Sequence, residues 1–257
     1  MSCDELELAE AGEVLGIAGP DCGGLLETLK IPCVPAARAD RFLLIEADGQ
    51  LELRPPEALD RPGIRADFPP ERASRSARAH PLVRAFGRGT GRVLDLTAGL
   101  GADAYRLAAA GHHVEACERH AVVYALLQSG WSRAVARGRV PDAVVERLTF
   151  VHADALDRLA SSTPGDLAVY LDPRYPAPRR ASALPRRELQ LLRRLLGGEG
   201  AEGAHLLAAA RERASRVVVK RPTHAPPLAP GASFEVESKL VRFDVYVEAP
   251  RRGRASS

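Results

Sequence analysis

A glycine-rich turn between an apolar run and a helical pattern is the first group of residues that could do chemistry. The apolar run covers residues 93–96 and contains Asp95, and Gly99 and Gly101 follow it closely. This pattern predicts a short buried strand with an acidic residue near its carboxyl end. Glycines let the backbone turn sharply, and they let a ligand approach the main chain because they lack a β-carbon. Such a turn occurs in nucleotide-binding folds of many kinds.

A second acidic residue narrows the class of ligand. Glu118 ends the next apolar run and lies 17 positions beyond Gly101. A carboxylate there can accept hydrogen bonds from both ribose hydroxyls of an adenosine group. Asp103, by contrast, stands at the predicted start of a helix, where it would repel a pyrophosphate. These residues therefore favour S-adenosylmethionine, whose sulfonium carries no phosphates, over a nicotinamide dinucleotide.

Asp154 follows the third apolar run and has two interpretations. It could hydrogen-bond the adenine amino group of the same cofactor. It could equally cap the helix that is predicted to begin at Ala155. Both interpretations suit a short polar side chain directly before a helical pattern, and both stay open.

The fourth apolar run, residues 167–171, leads into the tetrapeptide Asp172, Pro173, Arg174 and Tyr175. This resembles the [Asp/Asn]-Pro-Pro-[Tyr/Phe] motif of methyltransferases that act on exocyclic amino groups. The carboxylate and the rigid prolyl backbone would accept hydrogen bonds from a planar amine and aim its lone pair at a sulfonium methyl. The aromatic ring would stack on a base removed from its helix. We therefore predict catalytic roles for Asp172, Pro173 and Tyr175, with a strand-ending turn as the alternative.

Basic residues form two groups that could contact a polyanion. One group follows the fifth apolar run and would share a sheet edge with Asp172. The other lies in the arginine-rich segment 59–91. Because the net charge is only +3, nucleic-acid binding would depend on such local groups, and solvated surface charges are the alternative. The predicted RNA-binding residues are Arg72, Arg75, Arg78, Lys220 and Arg221.

Alternating patterns indicate how the chain positions these residues. From residue 92 onward, runs of strand length alternate with helical patterns, which is typical of a parallel sheet covered by helices. Two final strands, near residues 233–236 and 243–247, have no helix between them and predict an antiparallel hairpin. We therefore predict a Rossmann-like α/β fold of the class I methyltransferase type, with a mostly parallel seven-stranded sheet.

Changes in composition suggest where the domains begin and end. Residues 1–58 form a predicted small N-terminal domain, α/β or mostly β, in which apolar runs flank the Asp-Gly pair at 48–49 and predict a hairpin. A basic connector is predicted over 59–91 and the catalytic domain over 92–250. The last residues, 251–257, are predicted to form a disordered tail.

The composition excludes several classes of protein. At 46% hydrophobic residues the chain can bury a core, yet it has no apolar run near the roughly 18 residues of a membrane span. Its acidic N-terminus lacks the basic and apolar regions of a signal peptide, so we expect a cytoplasmic protein. Four cysteines without CxxC or histidine spacing predict neither a metal site nor a disulfide framework.

Taken together, five blocks of the chain resemble the bacterial ribosomal RNA small subunit methyltransferase J family. The resemblance is specific because the blocks share their order and spacing, and it spans about residues 60 to 248. It implies S-adenosylmethionine as cofactor and guanine-N2 methylation of 16S ribosomal RNA, naked or in the small subunit. The blocks are residues 95–101, 118–119, 170–176, 217–222 with 225–229, and 242–246. By this resemblance Ala102, Asp103, Glu118, Arg119, Asp154, Ala155 and Asp172 would line the cofactor pocket, beside Asp95, Gly99 and Gly101 of the turn.

Three other functions fit part of this pattern. A methyltransferase acting on adenine N6 would share the amine-type tetrapeptide. A non-catalytic RNA-binding protein could retain the fold, but it would have no physical need for Asp95, Glu118 and Asp172 together. A nicotinamide oxidoreductase is disfavoured by Asp103 and by the lack of a convincing acid for hydride transfer.

Overall fold

A computed structural model describes most of the chain, in eight stretches. They form two compact units, each assembled from separate parts of the sequence. Of the described residues, the first unit contains 14–18, 42–47, 49–68, 120–138 and 191–192, and the second contains the others. None of the helices within the described stretches is long and apolar enough to cross a membrane. The stretches are residues 14–18, 42–47, 49–69, 79–87, 90–163, 167–173, 191–192 and 202–248.

Strands and helices alternate through the second half of the chain, as the sequence predicts. The strands are β1 (Val14–Ala18), β2 (Phe42–Ala47), β3 (Gln50–Arg54), β4 (Arg92–Asp95), β5 (His113–Glu118), β6 (Leu148–His152), β7 (Leu167–Leu171), β8 (Arg216–Pro222), β9 (Phe234–Glu237) and β10 (Val241–Val247). The α-helices are α1 (Pro81–Phe86), α2 (Ala102–Ala109), α3 (Ala121–Ala136), α4 (Asp142–Val145), α5 (Ala155–Ser161) and α6 (Glu202–Arg213). The predicted helix over residues 187–196 lies outside the described residues, apart from 191–192, which are helical.

The second unit is built on a seven-stranded sheet with the order β6-β5-β4-β7-β8-β10-β9. Strands β4 to β8 run parallel, whereas β10 pairs antiparallel with both β8 and β9. Every residue of β7 is buried, as expected for a central parallel strand covered on both faces. The predicted Rossmann-like sheet with a closing antiparallel hairpin is therefore confirmed.

The first unit is built on a three-stranded sheet in which β2 lies between β1 and β3. β2 and β3 form the antiparallel hairpin that the Asp-Gly pair predicts. Helix α3 belongs to this unit, since the Ser129 hydroxyl accepts a hydrogen bond of 2.9 Å from the Leu51 amide. The helix can approach closely because a β-carbon on Gly130 would lie only 2.4 Å from the Ala66 carbonyl oxygen. This N-terminal sheet is thus completed by a helix that comes much later in the chain.

Helix α1 lies within the segment whose arginines predict a basic connector. Pro81 opens the helix, and the Nδ1 atom of His80 accepts a hydrogen bond of 3.2 Å from the Leu82 amide. The helix buries Leu82 and Phe86 and ends at Gly87, whose φ of 73° suits glycine. The alternation of arginine with apolar residues therefore marks a helix with a buried face, while the predicted domain boundaries stay predictions.

Candidate active site

The turn after β4 is tied to both neighbouring strands. The Leu96 amide donates to the Tyr170 carbonyl on β7 (3.1 Å), and the Ala98 amide donates to the Cys117 carbonyl on β5 (3.0 Å). The buried carboxylate of Asp95 accepts a hydrogen bond of 2.9 Å from the Thr97 amide. These bonds fix the turn between the carboxyl ends of three adjacent strands, which is where open α/β sheets bind ligands.

The glycines of this turn expose its backbone to a carboxylate on the next strand. Gly99 and Gly101 have φ values of 54° and 82°, in the left-handed region that favours glycine. The Gly99 amide donates a hydrogen bond of 3.0 Å to Oε2 of the half-buried Glu118. Among the described residues, a β-carbon on Gly99 would meet nothing closer than the Thr97 carbonyl oxygen at 4.0 Å. Within the part of the chain that the structure describes, the turn therefore leaves space beside Gly99, next to Glu118.

The residues after β6 lie beside the end of β5. The Ala153 amide donates to the Glu118 carbonyl (3.2 Å), and an Nε2 contact of 3.0 Å joins His152 to the Arg119 carbonyl. Asp154 is exposed and caps α5, because its Oδ1 accepts from the Leu156 amide at 2.8 Å. The capping interpretation of Asp154 therefore holds. The predicted cofactor contacts of Arg119, Asp154 and Ala155 stay predictions.

Asp172 and Pro173 follow β7 directly, at the same edge as the glycine turn. The Asp172 amide donates a hydrogen bond of 2.7 Å to the Thr97 hydroxyl. This bond joins the tetrapeptide to the turn that carries Gly99. The remaining predicted catalytic residue, Tyr175, lies outside the described residues, as does Arg174.

Lys220, at the carboxyl end of β8, joins two carboxylates. Its Nζ lies 2.8 Å from Oδ2 of Asp103 and 2.8 Å from Oδ2 of Asp172. Asp103 also accepts a hydrogen bond of 2.7 Å from the Tyr170 hydroxyl, and its Oδ1 accepts one of 2.9 Å from Arg106. Asp103 and Asp172 thus meet at one lysine, and their charges act on the nearby buried Asp95. We call these three aspartates the carboxylate cluster.

The environment divides the carboxylate cluster into groups of different acidity. Burial, with the nearby charges of Asp103 and Asp172, raises the pKa of Asp95 to about 8, despite the Thr97 hydrogen bonds. Burial also raises the pKa of Asp172, although the charge and hydrogen bond of Lys220 oppose it. For Asp103, Lys220, Tyr170 and Arg106 outweigh burial and hold its pKa below the ordinary value. Asp103 therefore keeps its negative charge to lower pH than Asp95, whose burial favours the neutral carboxyl group.

Of the five cations predicted to contact RNA, two are buried or paired with carboxylates and three lie outside the described residues. Arg221 is buried and donates a hydrogen bond to the Pro226 carbonyl. Lys220 is 26% exposed and is paired as described above. Arg72, Arg75 and Arg78 lie outside the described residues. The RNA-contact roles of all five residues stay predictions. No cluster of His, Cys, Asp or Glu within the described stretches could hold a metal ion.

Sequence patterns do not single out several residues that organise the site. Tyr170 is buried inside an otherwise aliphatic strand, and its hydroxyl reaches Asp103. A buried tyrosine usually needs a hydrogen-bond partner, so its place in an aliphatic run is a signal that could find it. Thr97 and Arg106 carry no such signal, because hydroxyl and guanidinium groups are common in turns and on helices.

These contacts define the class of protein. A glycine turn, a strand-end carboxylate bonded to that turn and an Asp-Pro pair beside both lie at the carboxyl edge of the sheet, where open α/β sheets bind ligands. A sequence model of a family described as putative SAM-dependent methyltransferases matches residues 27–248. The protein is therefore a methyltransferase that uses S-adenosylmethionine (SAM).

Similar proteins identify the family within that class. The chain is 39% identical to ribosomal RNA small subunit methyltransferase J of Yersinia enterocolitica, over 91% of this chain and 96% of that one. It is 43% identical to the protein of the same name from Edwardsiella ictaluri, over 60% and 62% of the two chains. A SAM-dependent methyltransferase structure from Neisseria gonorrhoeae matches with a TM-score of 0.64 and 26% identity, over 93% and 97% of the chains. The chain belongs to the ribosomal RNA small subunit methyltransferase J family.

Proposed function

We propose that this enzyme methylates the N2 amino group of a guanine in the 16S RNA of the small ribosomal subunit, in the cytoplasm. Two similar proteins carry small-subunit ribosomal RNA in their names. The observation that carries the proposal is the position of Asp172 at the end of β7. Its backbone is tied to the glycine turn and its carboxylate to Lys220, so an amine at this carboxylate would lie beside the cofactor.

The residues around the glycine turn fit SAM. The open space beside Gly99 can accept the adenosine and methionine parts, and the Glu118 carboxylate can accept ribose hydroxyls. The Asp103 carboxylate already accepts hydrogen bonds from Tyr170, Lys220 and Arg106. We therefore infer that the start of α2 contributes to the cofactor pocket through its backbone amides at Ala102 and Asp103.

The chemistry follows from what each partner supplies. SAM, when bound, supplies a methyl carbon on a sulfonium, whose carbon–sulfur electron pair returns to sulfur as the new carbon–nitrogen bond forms. Asp172 Oδ1 accepts a hydrogen bond from the guanine amine, aims the nitrogen lone pair and receives the proton that the amine loses, which then passes to water. Because the guanine N2 lone pair is delocalised into the ring, the base must be held rigidly, and Pro173 and Tyr175 are the residues proposed to hold it.

RNA docking is proposed to use local cations, because the net charge of +3 is too small for a general attraction. Arg72, Arg75 and Arg78 are the candidates from the segment before α1, because Arg221 at the end of β8 is buried against the Pro226 carbonyl. Replacing the first three should weaken RNA binding and flatten its salt dependence, while SAM affinity stays unchanged.

The test is methyl transfer from labelled SAM with identification of the product nucleoside. Substrates are small subunits from cells in which this gene is deleted, naked 16S RNA, DNA and free nucleosides, and the Asp172→Ala variant is the inactive control. We expect N2-methylguanosine in the small-subunit RNA by mass spectrometry. N6-methyladenine as the sole product, or methylation of free nucleosides alone, would overturn the proposal.

A further inference from the structure

Lys220 connects three parts of the sequence that are far apart. It lies 117 positions after Asp103 and 48 positions after Asp172, yet its Nζ is 2.8 Å from a carboxylate oxygen of each. The sheet register explains this meeting, because Leu171 on β7 pairs with Val219 on β8 and the next residues are Asp172 and Lys220. On its other side Lys220 is opposite Phe243 of β10, which presents no charge to it.

The two carboxylates that Lys220 contacts differ in the number of hydrogen-bond donors that they have. Asp103 has Tyr170 on Oδ2 and Arg106 on Oδ1, in addition to the lysine. The Asp172 side chain has Lys220 on Oδ2 as its one donor within the described residues, and it is 35% exposed. Several donors therefore stabilise the ionised form of Asp103, whereas within the described residues only Lys220 donates to the carboxylate of Asp172.

We propose that Lys220 is a positioning residue for methyl transfer, which binds Oδ2 of Asp172 and leaves Oδ1 directed to the target amine. The proposal rests on the function proposed above, in which Asp172 receives the amine. Lys220 also balances the negative charge of Asp103, so that two neighbouring carboxylates can be ionised together. A role of this kind needs an ammonium group between the carboxylates and does not need a contact with RNA phosphate.

Two charged neighbours act on the Asp172 carboxylate, and further titratable groups surround those two neighbours. Burial raises the pKa of Asp172, the charge of Lys220 lowers it and that of Asp103 raises it. Around Lys220 and Asp103 lie Asp95 at the end of β4, Arg106 on α2, Tyr170 on β7 and His80 before α1. The amine requires an ionised Asp172, so activity rises with pH through the pKa of this group. Loss of Lys220 removes both the charge and the hydrogen bond by which it lowers the pKa of Asp172, so the rise in activity moves to higher pH.

The experiment compares pH profiles of methyl transfer for the wild type, Lys220→Met, Lys220→Arg and Lys239→Met. Lys239 is an exposed lysine beyond β9, so its variant controls for loss of a lysine charge. We expect Lys220→Met to lower kcat at least about tenfold at pH 7. It should also move the acidic limb of the profile, which is the low-pH range over which activity rises, upward by about one pH unit or more. The arginine variant should restore part of both, and the Lys239 variant should match the wild type.

A second variant keeps the test valid if Lys220→Met does not fold. Asp103→Asn leaves Lys220 with a single carboxylate, so the acidic limb should move to lower pH, opposite to the shift expected for Lys220→Met. Binding of S-adenosylhomocysteine by calorimetry should change less than about threefold in Lys220→Arg. A purely structural role would lower stability without moving the limb in either direction.

Each outcome has a separate meaning. Wild-type protein that transfers no methyl group to RNA overturns the proposed function. Active wild type with an unshifted limb in both Lys220→Met and Asp103→Asn overturns the role of Lys220 alone. A flatter salt dependence of RNA binding in Lys220→Met, with an unshifted limb, would make Lys220 a phosphate contact and would likewise overturn it.

Discussion

Two carboxylates, one in each unit of the molecule, differ in how many of their oxygens accept hydrogen bonds. In the first unit Glu52 is buried, and its Oε2 accepts hydrogen bonds from Arg54 (3.0 Å) and the Gly63 amide (3.0 Å). Its Oε1 accepts one from Arg65 at 3.4 Å. In the second unit Asp172 has Lys220 on Oδ2, while Oδ1 has no donor within the described stretches.

The comparison teaches how a structural carboxylate differs from a chemical one. A buried carboxylate that only stabilises the fold gains most when every acceptor position is bonded, because each unmet position costs free energy. A carboxylate that must bind a substrate keeps an acceptor available and tolerates a raised pKa. Glu52 has the first arrangement and Asp172 the second. Four substitutions test this distinction, with expected effects that decrease in size from Asp172 to Tyr170.

Replacing Asp172 by alanine should abolish most activity and leave the fold intact. We expect kcat to fall about 100-fold or more, because the amine is no longer aimed. Binding of S-adenosylhomocysteine, measured by calorimetry, should change far less. Near wild-type turnover in this variant would show that the carboxylate does not act on the substrate, and the comparison with Glu52 would then fail.

Glu118 extends the comparison to the cofactor. Glu118→Ala should weaken SAM and S-adenosylhomocysteine binding by about 1.5–3 kcal/mol, since it removes charge-assisted hydrogen bonds to the ribose. Calorimetry measures the loss directly. Glu115→Ala on the same strand is the matched control, because Glu115 pairs with Arg158 and should not affect cofactor affinity. Unchanged binding in Glu118→Ala would contradict the assigned pocket.

Glu52→Ala should have the opposite profile. It leaves Arg54 and Arg65 without their carboxylate, and we expect the free energy of unfolding to fall by about 2 kcal/mol. The expected loss is smaller than for a fully buried ion pair because Arg65 is 43% exposed. Urea unfolding measures the change, and the exposed Asp60→Ala should stay within about 0.5 kcal/mol of the wild type. A loss of methyl transfer per folded molecule would mean that Glu52 is not purely structural.

Tyr170→Phe should give the smallest effect. It removes the hydroxyl that donates to Asp103, which should cost about 1 kcal/mol of stability. The matched control is Tyr246→Phe, because the buried Tyr246 donates to the Ala229 carbonyl instead. Thermal unfolding should show similar losses for both, whereas only Tyr170→Phe should lower kcat. Equal kcat values in the two variants would show that Tyr170 does not affect methyl transfer through Asp103 and Lys220.

The sequence could predict the parts of the site that depend on short patterns. The glycine turn, Glu118 at the end of β5 and Asp172 at the end of β7 all follow from where an apolar run stops. The same patterns could not predict what Lys220 contacts. A lysine near the end of a strand has the same sequence pattern whether its side chain is exposed to solvent or paired with a carboxylate. They also could not place helix α3 with the N-terminal sheet, because helical periodicity shows that a helix has an apolar face and not which surface covers it.

By itself, then, the sequence determined the order of strands and helices, the turn that approaches the cofactor and the membership of a methyltransferase family. Local backbone preferences and apolar periodicity carry that information within a few residues. The tertiary structure alone decided that Asp103 and Asp172 share one lysine and that Tyr170 supports the first of them. The physical reason is that the parallel sheet brings the carboxyl ends of β4, β7 and β8 to one edge, where charges separated by 48 and 117 positions come within hydrogen-bond distance.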